Sequence, residues 1–195
     1  MITIIEIGCA NTASVLFALE RLGTDARLSS DPLEIATAEK VVLPGVGAAG
    51  FAMSRIRELG LYDVIRGLKV PLLGVCLGQQ LLFEGSEEGD VECLGLIPGK
   101  VTKMTATPDM VVPHMGWNQL EILREDPLTS GVRDADFAYF VHSFVCPVNE
   151  HTLATSTYGA PFAAMVRKDN VFGCQFHPER SSATGAKILE NFLKV

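Results

Sequence analysis

The chain has 195 residues, of which 48% are apolar, and carries a formal net charge of −7. This length fits one domain with a substantial core, and the excess of acidic residues argues against a nucleic-acid surface, which needs clustered lysine and arginine. No run of about 18 apolar residues is present to span a membrane, and the N-terminus lacks the basic region and cleavage site of a signal peptide.

The chain contains five cysteines, an odd number, and no two of them show C-x-x-C spacing. This pattern fits neither a disulfide framework nor a zinc site. We therefore expect a reduced, cytoplasmic setting, no bound metal, and chemistry at one or two of the cysteines at most.

The first 90 residues alternate between short apolar runs and amphipathic segments. Asn11 is placed to cap the first helix and Gly23 to close it. This β-α-β-α rhythm predicts a mostly parallel sheet flanked by helices, in which sites lie beyond the carboxyl ends of the strands. The predicted strands are residues 1–7, 25–29, 41–43 and 72–75.

After about residue 90, short β-like runs follow one another without long helices between them. We expect mixed or antiparallel strands that extend the same sheet, with a hairpin turn at residues 168–170 in which Asn170 tolerates a positive φ. A last helix is predicted over residues 183–193. The β-like runs are residues 94–104, 115–122, 138–147, 153–158 and 162–176.

Residues 72–80 (LLGVCLGQQ) form an apolar run that ends in Gly-x-Cys-x-Gly and continues into a helical pattern. This is the cysteine version of the nucleophile elbow, a sharp strand-to-helix turn. Gly74 and Gly78 remove Cβ atoms that would collide across it, and the helix N-terminus favours the thiolate of Cys76. The alternative is a buried cysteine at a tight junction, and the elbow alone does not separate the two.

A thiolate nucleophile needs a general base and a group that orients the base. His177 and Glu179 lie two residues apart in residues 173–179 (GCQFHPE), where Pro178 keeps the backbone extended. Residues i and i+2 of an extended segment point to the same side. Glu179 is therefore expected to support an imidazole that faces Cys76; the alternative is a strand-end histidine beside a solvated glutamate.

An acyl transfer also needs hydrogen-bond donors where the oxyanion forms. In an elbow one donor is the N–H of the next residue, here Leu77. The second is expected from Gly45-Val46-Gly47, because glycines on either side of Val46 let a peptide unit rotate. The alternative is that these glycines only turn the chain into the next helix.

The remaining histidines are weaker candidates for a catalytic or binding role. His114 has no carboxylate close in sequence, and His151 lies in a polar stretch that we expect to be exposed. His142 alternates with large apolar residues, so it either lines a pocket or packs in the sheet. Cys174 is expected to be a small core residue.

At this point two motifs, GVCLGQQ at 74–80 and FHPE at 176–179, resemble the class I (triad) glutamine amidotransferase family. Further segments are similar to the glutaminase subunits of imidazole glycerol phosphate synthases, and the similarity runs from Gly8 to the C-terminus. Two positions depart from the pattern: Gly8-Cys9-Ala10-Asn11 replaces the usual Gly-x-Gly-Asn, and Gln79 replaces a common Met. The further segments are residues 43–47 (LPGVG), 86–88 (SEE), 113–118 (PHMGWN), 139–143 (YFVHS) and 175–181 (QFHPERS).

The resemblance implies a single α/β domain over residues 1–195 with the flavodoxin-like fold of that family, and it assigns roles by position. The implied catalytic residues are Cys76, His177 and Glu179; the oxyanion residues are Val46, Gly47 and Leu77; the glutamine-binding residues are Gln80, Glu88, His142, Ser143 and Phe144; and the interface residues are Asn11, Trp117 and Asn118.

The implied reaction is hydrolysis of L-glutamine through a cysteinyl thioester, with no metal or organic cofactor. The ammonia passes to a (β/α)8-barrel cyclase subunit in a heterodimer, where it reacts with a ribulosyl nucleotide in histidine biosynthesis. Trp117 suits such an interface because its ring is apolar and its tip is a donor; the alternative is a buried core aromatic.

Other functions remain open on sequence alone. The closest is a glutaminase subunit of another ammonia-using synthase. A cysteine peptidase or a redox-sensing protein of related fold shares the elbow. A binding module without catalysis would have a broken triad, and residues 76, 177 and 179 show no break.

Overall fold

The computed structural model describes residues 1–8, 11–108 and 110–195. Cys9 and Ala10, where the sequence departs from the expected Gly-x-Gly-Asn pattern, lie outside the described residues, as does Asp109.

Six α-helices and fourteen β-strands are defined in the described part of the chain. The helices are α1 (Thr12–Arg21), α2 (Pro32–Ala36), α3 (Ala49–Glu58), α4 (Tyr62–Gly67), α5 (Leu77–Leu81) and α6 (Ser182–Lys194). The strands are β1 (Ile2–Ile5), β2 (Ala26–Ser29), β3 (Lys40–Gly45), β4 (Leu72–Cys76), β5 (Gly85–Ser86), β6 (Val91–Glu92), β7 (Lys100–Lys103), β8 (His114–Gln119), β9 (Glu121–Ile122), β10 (Phe137–His142), β11 (Phe144–Val145), β12 (Thr152–Tyr158), β13 (Ala160–Lys168) and β14 (Val171–Cys174).

The largest sheet has eight strands in the order β2-β1-β3-β4-β14-β13-β12-β9. The first five are parallel to one another, and β13, β12 and β9 continue the sheet in antiparallel fashion. The predicted α/β fold, with a mostly parallel sheet and antiparallel strands added from the second half of the chain, is therefore confirmed.

Two buried apolar clusters cover the sheet, one on each face. The central strand β4 is buried along its whole length, which is why its sequence is a continuous apolar run and does not alternate. The predicted caps of α1 are also present. The Asn11 side chain accepts a hydrogen bond from Ser14 N at 3.4 Å, and Gly23 has a φ of 75° after the helix.

The expectation that all later strands extend the same sheet is wrong. β8 and β10 form a separate two-stranded antiparallel ribbon, and β11, β7, β5 and β6 form a small four-stranded sheet. Strand periodicity specifies which side chains share a face, but it carries no information on which strand becomes the hydrogen-bonded neighbour.

The turn between β13 and β14 also differs from the prediction. Asp169 has the positive φ, at 54°, in place of Asn170. The Asn170 side chain instead donates to the carbonyl oxygens of Leu68 and Val70, at 3.1 and 2.7 Å. These two bonds tie the hairpin to the segment that leads into β4, which stabilises the alignment of β4 and β14.

In the described part of the chain, none of the helices combines the length and the apolar character that crossing a lipid bilayer requires.

Candidate active site

Cys76 lies at the junction between β4 and α5, where the chain turns from strand into helix. Its backbone has φ 55° and ψ −111°, a conformation that costs a residue with a Cβ about 1–3 kcal/mol. A strained conformation persists only where the contacts around it enforce it. Residues in such conformations are found most often at functional sites. The elbow geometry predicted from the sequence is present.

The two glycines of the elbow are required by close backbone contacts. A Cβ on Gly74 would lie 2.7 Å from the carbonyl oxygen of Gly78, and a Cβ on Gly78 would lie 1.8 Å from the carbonyl oxygen of Leu43. α5 thus packs directly on the backbone of β3. The glycines keep the turn tight enough to present Cys76 at the edge of the sheet.

His177 reaches this edge because β14 lies beside β4 in parallel, with Cys174 paired to Val75. The chain leaving β14 therefore emerges next to Cys76. The His177 N–H donates to the carbonyl oxygen of Tyr139 at 2.9 Å, and Ser181 Oγ donates to the His177 carbonyl at 2.7 Å.

The His177 ring is held between two groups. Its Nδ1 lies 2.8 Å from Oε1 of Glu179, whose side chain is only 2% exposed. Burial on its own lowers the pKa of His177. The hydrogen bonds to Cys76 and Glu179, together with the negative charges of these partners, outweigh burial and raise the pKa from 6.5 to about 10. The geometry therefore favours an imidazolium at neutral pH.

Two further groups surround the Cys76 sulfur. The side-chain amide nitrogen of Gln175 and the carbonyl oxygen of Val141 each lie 3.8 Å from Sγ. The orientation of the Gln175 amide is set by Gln80, whose Nε2 donates to Gln175 Oε1 at 3.0 Å. Gln175 is not among the residues predicted from the sequence, although it lies only two residues before His177. The expectation that Pro178 keeps the chain extended as far as Glu179 is wrong, because Pro178–Arg180 form a short 3-10 helix, across which Glu179 reaches His177.

A cavity of about 250 Å³ opens above the sulfur. All of the residues predicted for the oxyanion and for glutamine binding line it, whereas Glu179 lies behind His177 and does not line it. The lining residues are Val46, Gly47, Cys76, Leu77, Gln80, Glu88, Pro113, Val141, His142, Ser143, Phe144 and His177.

The predicted oxyanion residues come from two segments of the chain that both line the cavity. Leu77 is the first residue of α5, so its N–H has no partner within the helix. Val46 and Gly47 follow β3, and Gly47 has a φ of 96°. Glu88 secures the end of this loop, because its Oε2 accepts the N–H of Ala49, at the start of α3, at 2.8 Å.

The predicted interface residues occupy different surroundings. Trp117 is 52% exposed and packs edge-on against Tyr139, so it is not a buried core aromatic. Asn118 points to the opposite face of β8, where its amide donates to the carbonyl oxygen of Thr157 at 2.9 Å. Asn11 lines a second cavity of about 190 Å³ together with Glu179 and five other residues.

His114 and His142 form a buried pair on the inner face of the ribbon. His114 Nδ1 lies 3.0 Å from His142 Nε2. On sequence alone His114 was a weak candidate for a functional role. The alternation of side chains along β8 could have indicated a role, because it places His114 and Asn118 on the same face of the strand.

Comparison with known proteins gives a consistent result. The sequence model of the family described as glutamine amidotransferase class-I matches residues 4–195. The chain is 54% identical to a protein of Xanthomonas euvesicatoria named imidazole glycerol phosphate synthase subunit HisH, over 100% of this chain and 97% of that one. The protein of the same name from Xylella fastidiosa is 50% identical, with the same coverage.

Solved structures show the same fold at low sequence identity. A structure titled PurLQS from Thermotoga maritima has a TM-score of 0.73 at 19% identity, covering 99% of this chain and 97% of that one. The glutaminase domain of CTPS from Trypanosoma brucei, with bound acivicin, has a TM-score of 0.68 at 16% identity, covering 99% and 93%.

Proposed function

The chain belongs to the class-I glutamine amidotransferase family, and from this premise we propose that it is the glutaminase subunit of an imidazole glycerol phosphate synthase in histidine biosynthesis. The observation that carries the proposal is that Cys76 and His177 line the same cavity, while the buried carboxylate of Glu179 holds Nδ1 of His177 from behind. About half of the residues are identical to those of full-length relatives named for that subunit. We also propose that residues 1–195 form one glutamine amidotransferase domain and act in the cytoplasm, where the four described cysteines, all free, stay reduced.

In the proposed reaction, the Cys76 thiolate attacks the side-chain carboxamide carbon of L-glutamine. The developing oxyanion accepts hydrogen bonds from the Leu77 N–H and from the loop at Val46 and Gly47. Collapse of the tetrahedral adduct breaks the C–N bond and leaves a glutamyl thioester on Cys76. Water then attacks the thioester, which releases glutamate and returns Cys76 to the thiolate with which the cycle began.

His177 moves the protons in both halves of this cycle. The raised pKa of about 10 means that the ring starts as an imidazolium, so it has a proton to give to the departing ammonia. The neutral ring that remains takes a proton from the attacking water. Glu179 stays charged in this scheme and keeps Nδ1 protonated, so that Nε2 is the nitrogen that faces the reaction.

Recognition of glutamine is proposed to use the walls of the 250 Å³ cavity. Gln80, Glu88 and the turn at His142, Ser143 and Phe144 all line it, and Gln80 Nε2 donates to the Phe144 carbonyl oxygen at 3.1 Å. Backbone groups of that turn are proposed to receive the α-carboxylate. No part of this scheme needs a metal or an organic cofactor.

The relatives are named as a subunit of a synthase, and this protein accordingly works with a partner subunit. We propose that the partner is a (β/α)8-barrel cyclase, in which the ammonia reacts with a ribulosyl nucleotide to give imidazole glycerol phosphate and an aminoimidazole carboxamide ribonucleotide. Ammonia that escapes into water is largely protonated and then is no longer nucleophilic, so a closed interface makes chemical sense.

The outer face of the β8–β10 ribbon supports a docking surface for that partner. Met115, Trp117 and Phe137 are large apolar side chains that remain exposed there, and Tyr139 and Val141 continue the same face of β10. Contiguous exposed apolar surface of this kind is typical of protein interfaces.

The ribbon's outer face leads to the second cavity, which Tyr139 and Val141 line together with Asn11, His177 and Glu179. Product ammonia is released at His177, on the wall that the two cavities share. A partner seated on the ribbon would cover the mouth of the second cavity and shield ammonia from water.

The proposal is tested by glutamate release from glutamine, measured for the wild type and for Cys76→Ala, each with and without the cyclase and its nucleotide. Cys93→Ala is the matched control, since Cys93 is also buried but lies away from the cavity. We expect turnover by the wild type and Cys93→Ala and none by Cys76→Ala. Equal turnover by Cys76→Ala would contradict the proposal.

We also propose that the isolated chain is a poor glutaminase. Gly47 has a φ of 96°, which glycine adopts readily and other residues rarely do. The loop can therefore rotate the peptide at Val46, so that its N–H points toward the oxyanion or away from it. Glutamate release is therefore expected to rise when the loaded cyclase is added; the same rate with and without it would rule this out.

A further inference from the structure

A chain of four hydrogen bonds crosses the inner face of the β8–β10 ribbon and ends at the wall of the glutamine cavity. Asn118 Nδ2 lies 2.9 Å from the carbonyl oxygen of Thr157 and 3.4 Å from His114 Nε2. His114 Nδ1 lies 3.0 Å from His142 Nε2. His142 Nδ1 lies 2.8 Å from the carbonyl oxygen of Phe144.

The direction of every bond in the chain follows from its two ends. A carbonyl oxygen only accepts, so His142 must have its hydrogen on Nδ1, and its Nε2 must accept if the ring is neutral. His114 then donates from Nδ1 and accepts at Nε2. The side-chain amide of Asn118 donates to His114 Nε2. The tautomers deduced from the Phe144 end of the chain therefore agree with those deduced from the Asn118 end.

Both rings are held in the neutral form that this assignment requires. Burial is the main cause in each case, and it lowers the pKa of His114 and of His142 from 6.5 to about 4. The hydrogen bond to Phe144 opposes this shift for His142, whereas the neighbouring His177 reinforces it.

The His114 ring has little freedom to turn. It is stacked on Phe140 at a centroid distance of 5.1 Å and on Tyr158 at 4.1 Å. The stacking fixes the plane of the ring, and Asn118 fixes which edge accepts. Together they determine the direction in which Nδ1 donates.

The other end of the chain is part of the cavity. His142 and Phe144 both line it, and the Phe144 carbonyl accepts a second hydrogen bond, from Gln80 Nε2 at 3.1 Å. The bond from His142 to Phe144 spans Ser143 and so closes the turn whose backbone we propose to bind the α-carboxylate of glutamine.

We propose that His114 and Asn118 are positioning residues for the glutamine pocket, which hold the His142–Phe144 turn in the shape that binds substrate. This inference rests on the proposed function. Neither residue lines the cavity or touches the reacting atoms. They act through the tautomer and orientation of His142.

The test compares two substitutions of the same residue, measured with the cyclase and its nucleotide present. His114→Phe keeps the ring between Phe140 and Tyr158 but removes the donor. His114→Asn loses the ring but keeps a side-chain N–H near the position of Nδ1. We expect His114→Phe to raise the KM for glutamine about tenfold, the factor that corresponds to one lost hydrogen bond, with a smaller change in kcat. For His114→Asn we expect a KM within about threefold of the wild type.

A role in packing alone predicts the reverse order, since the phenylalanine preserves the stack and the asparagine does not. A KM that rises more for His114→Asn than for His114→Phe would therefore overturn the proposal. Thermal unfolding of both variants, measured in parallel, separates an effect on the pocket from an effect on the fold.

A second measurement needs no variant. Long-range ¹H–¹⁵N spectra of the wild type, with ¹⁵N-labelled histidine, are expected to show two neutral rings with hydrogen on Nδ1 at pH 7. Hydrogen on Nε2 of either ring would sink the proposal even if both variants fail to fold. Absence of glutaminase activity in the wild type would instead refute the proposed function.

Discussion

His177 Nδ1 lies 2.8 Å from Oε1 of Glu179, and the carboxylate is almost completely shielded from solvent. A buried carboxylate in this position fixes the tautomer of the ring and stabilises the imidazolium. Glu179 is therefore essential to the proposed role of His177, even though Glu179 does not line the cavity that contains Cys76.

Glu179→Gln is expected to lower kcat for glutamine hydrolysis by about 10²- to 10⁴-fold. The substitution keeps the size of the side chain but removes its charge, so the ring loses support for its protonated form. Steady-state glutamate release with the loaded cyclase measures the effect. Glu190→Gln is the control, because Glu190 lies on α6 in an exposed ion pair with Lys187. If Glu179→Gln loses no more activity than this control, Glu179 does not orient the base.

The stability of the protein is expected to fall at alkaline pH. The pKa of His177 is raised from 6.5 to about 10 in the folded chain. A raised pKa means that the folded state binds the proton more tightly than the unfolded state does. Protonation of His177 therefore contributes fully to the free energy of unfolding below pH 6.5, and the contribution is lost as the pH rises through 10. Urea unfolding of the wild type and of Glu179→Gln at pH 6.5, 8 and 10 checks the window. The wild type should show the steeper decline, and identical pH profiles for the two proteins would exclude this linkage.

Gly78→Ala is expected to destabilise the protein by about 3 kcal/mol or more. A Cβ there would lie 1.8 Å from the Leu43 carbonyl oxygen, so α5 must move away from β3. Gly50→Ala in α3 is the matched control, since a Cβ on Gly50 has no atom within 4 Å in the described structure. We expect it to be neutral or to stabilise by about 0.5–1 kcal/mol. Equal unfolding midpoints for the two variants would show that the elbow tolerates a wider turn than this structure indicates.

The parts of the site that the sequence predicted are those governed by local rules. Gly74, Cys76 and Gly78 lie within five residues, so the steric demand of a sharp turn is readable from their spacing. The parallel sheet brings the ends of β4 and β14, and with them Cys76 and His177, to one edge. The expectation of an extended chain at Pro178 is wrong, because Pro178–Arg180 form a short 3-10 helix, and it is across this turn that Glu179 reaches His177. These rules were enough to place Cys76 and His177 in one region, whereas the geometry by which Glu179 joins them could not be predicted in this way.

The β8–β10 ribbon and the His114–His142 pair could not be predicted from local rules of this kind. Alternation along β8 shows that His114 and Asn118 share a face, but it does not show that β10 is the partner strand. Only that pairing sets His114 opposite His142. Likewise, the exposure of Trp117 depends on the ribbon lying outside the main sheet, and no pattern in its own segment specifies this.

The central claim is that Cys76 forms a covalent glutamyl intermediate, and peptide mass spectrometry of rapidly quenched reactions tests it most directly. The complex with the cyclase and its nucleotide is mixed with glutamine, quenched in acid and digested. We expect a mass increase of one glutamyl group on the peptide that contains Cys76, which reaches a steady level while glutamine is turned over and is absent from Cys76→Ala. Turnover of glutamine by the wild type with no such adduct, or with the adduct on another residue, would contradict it.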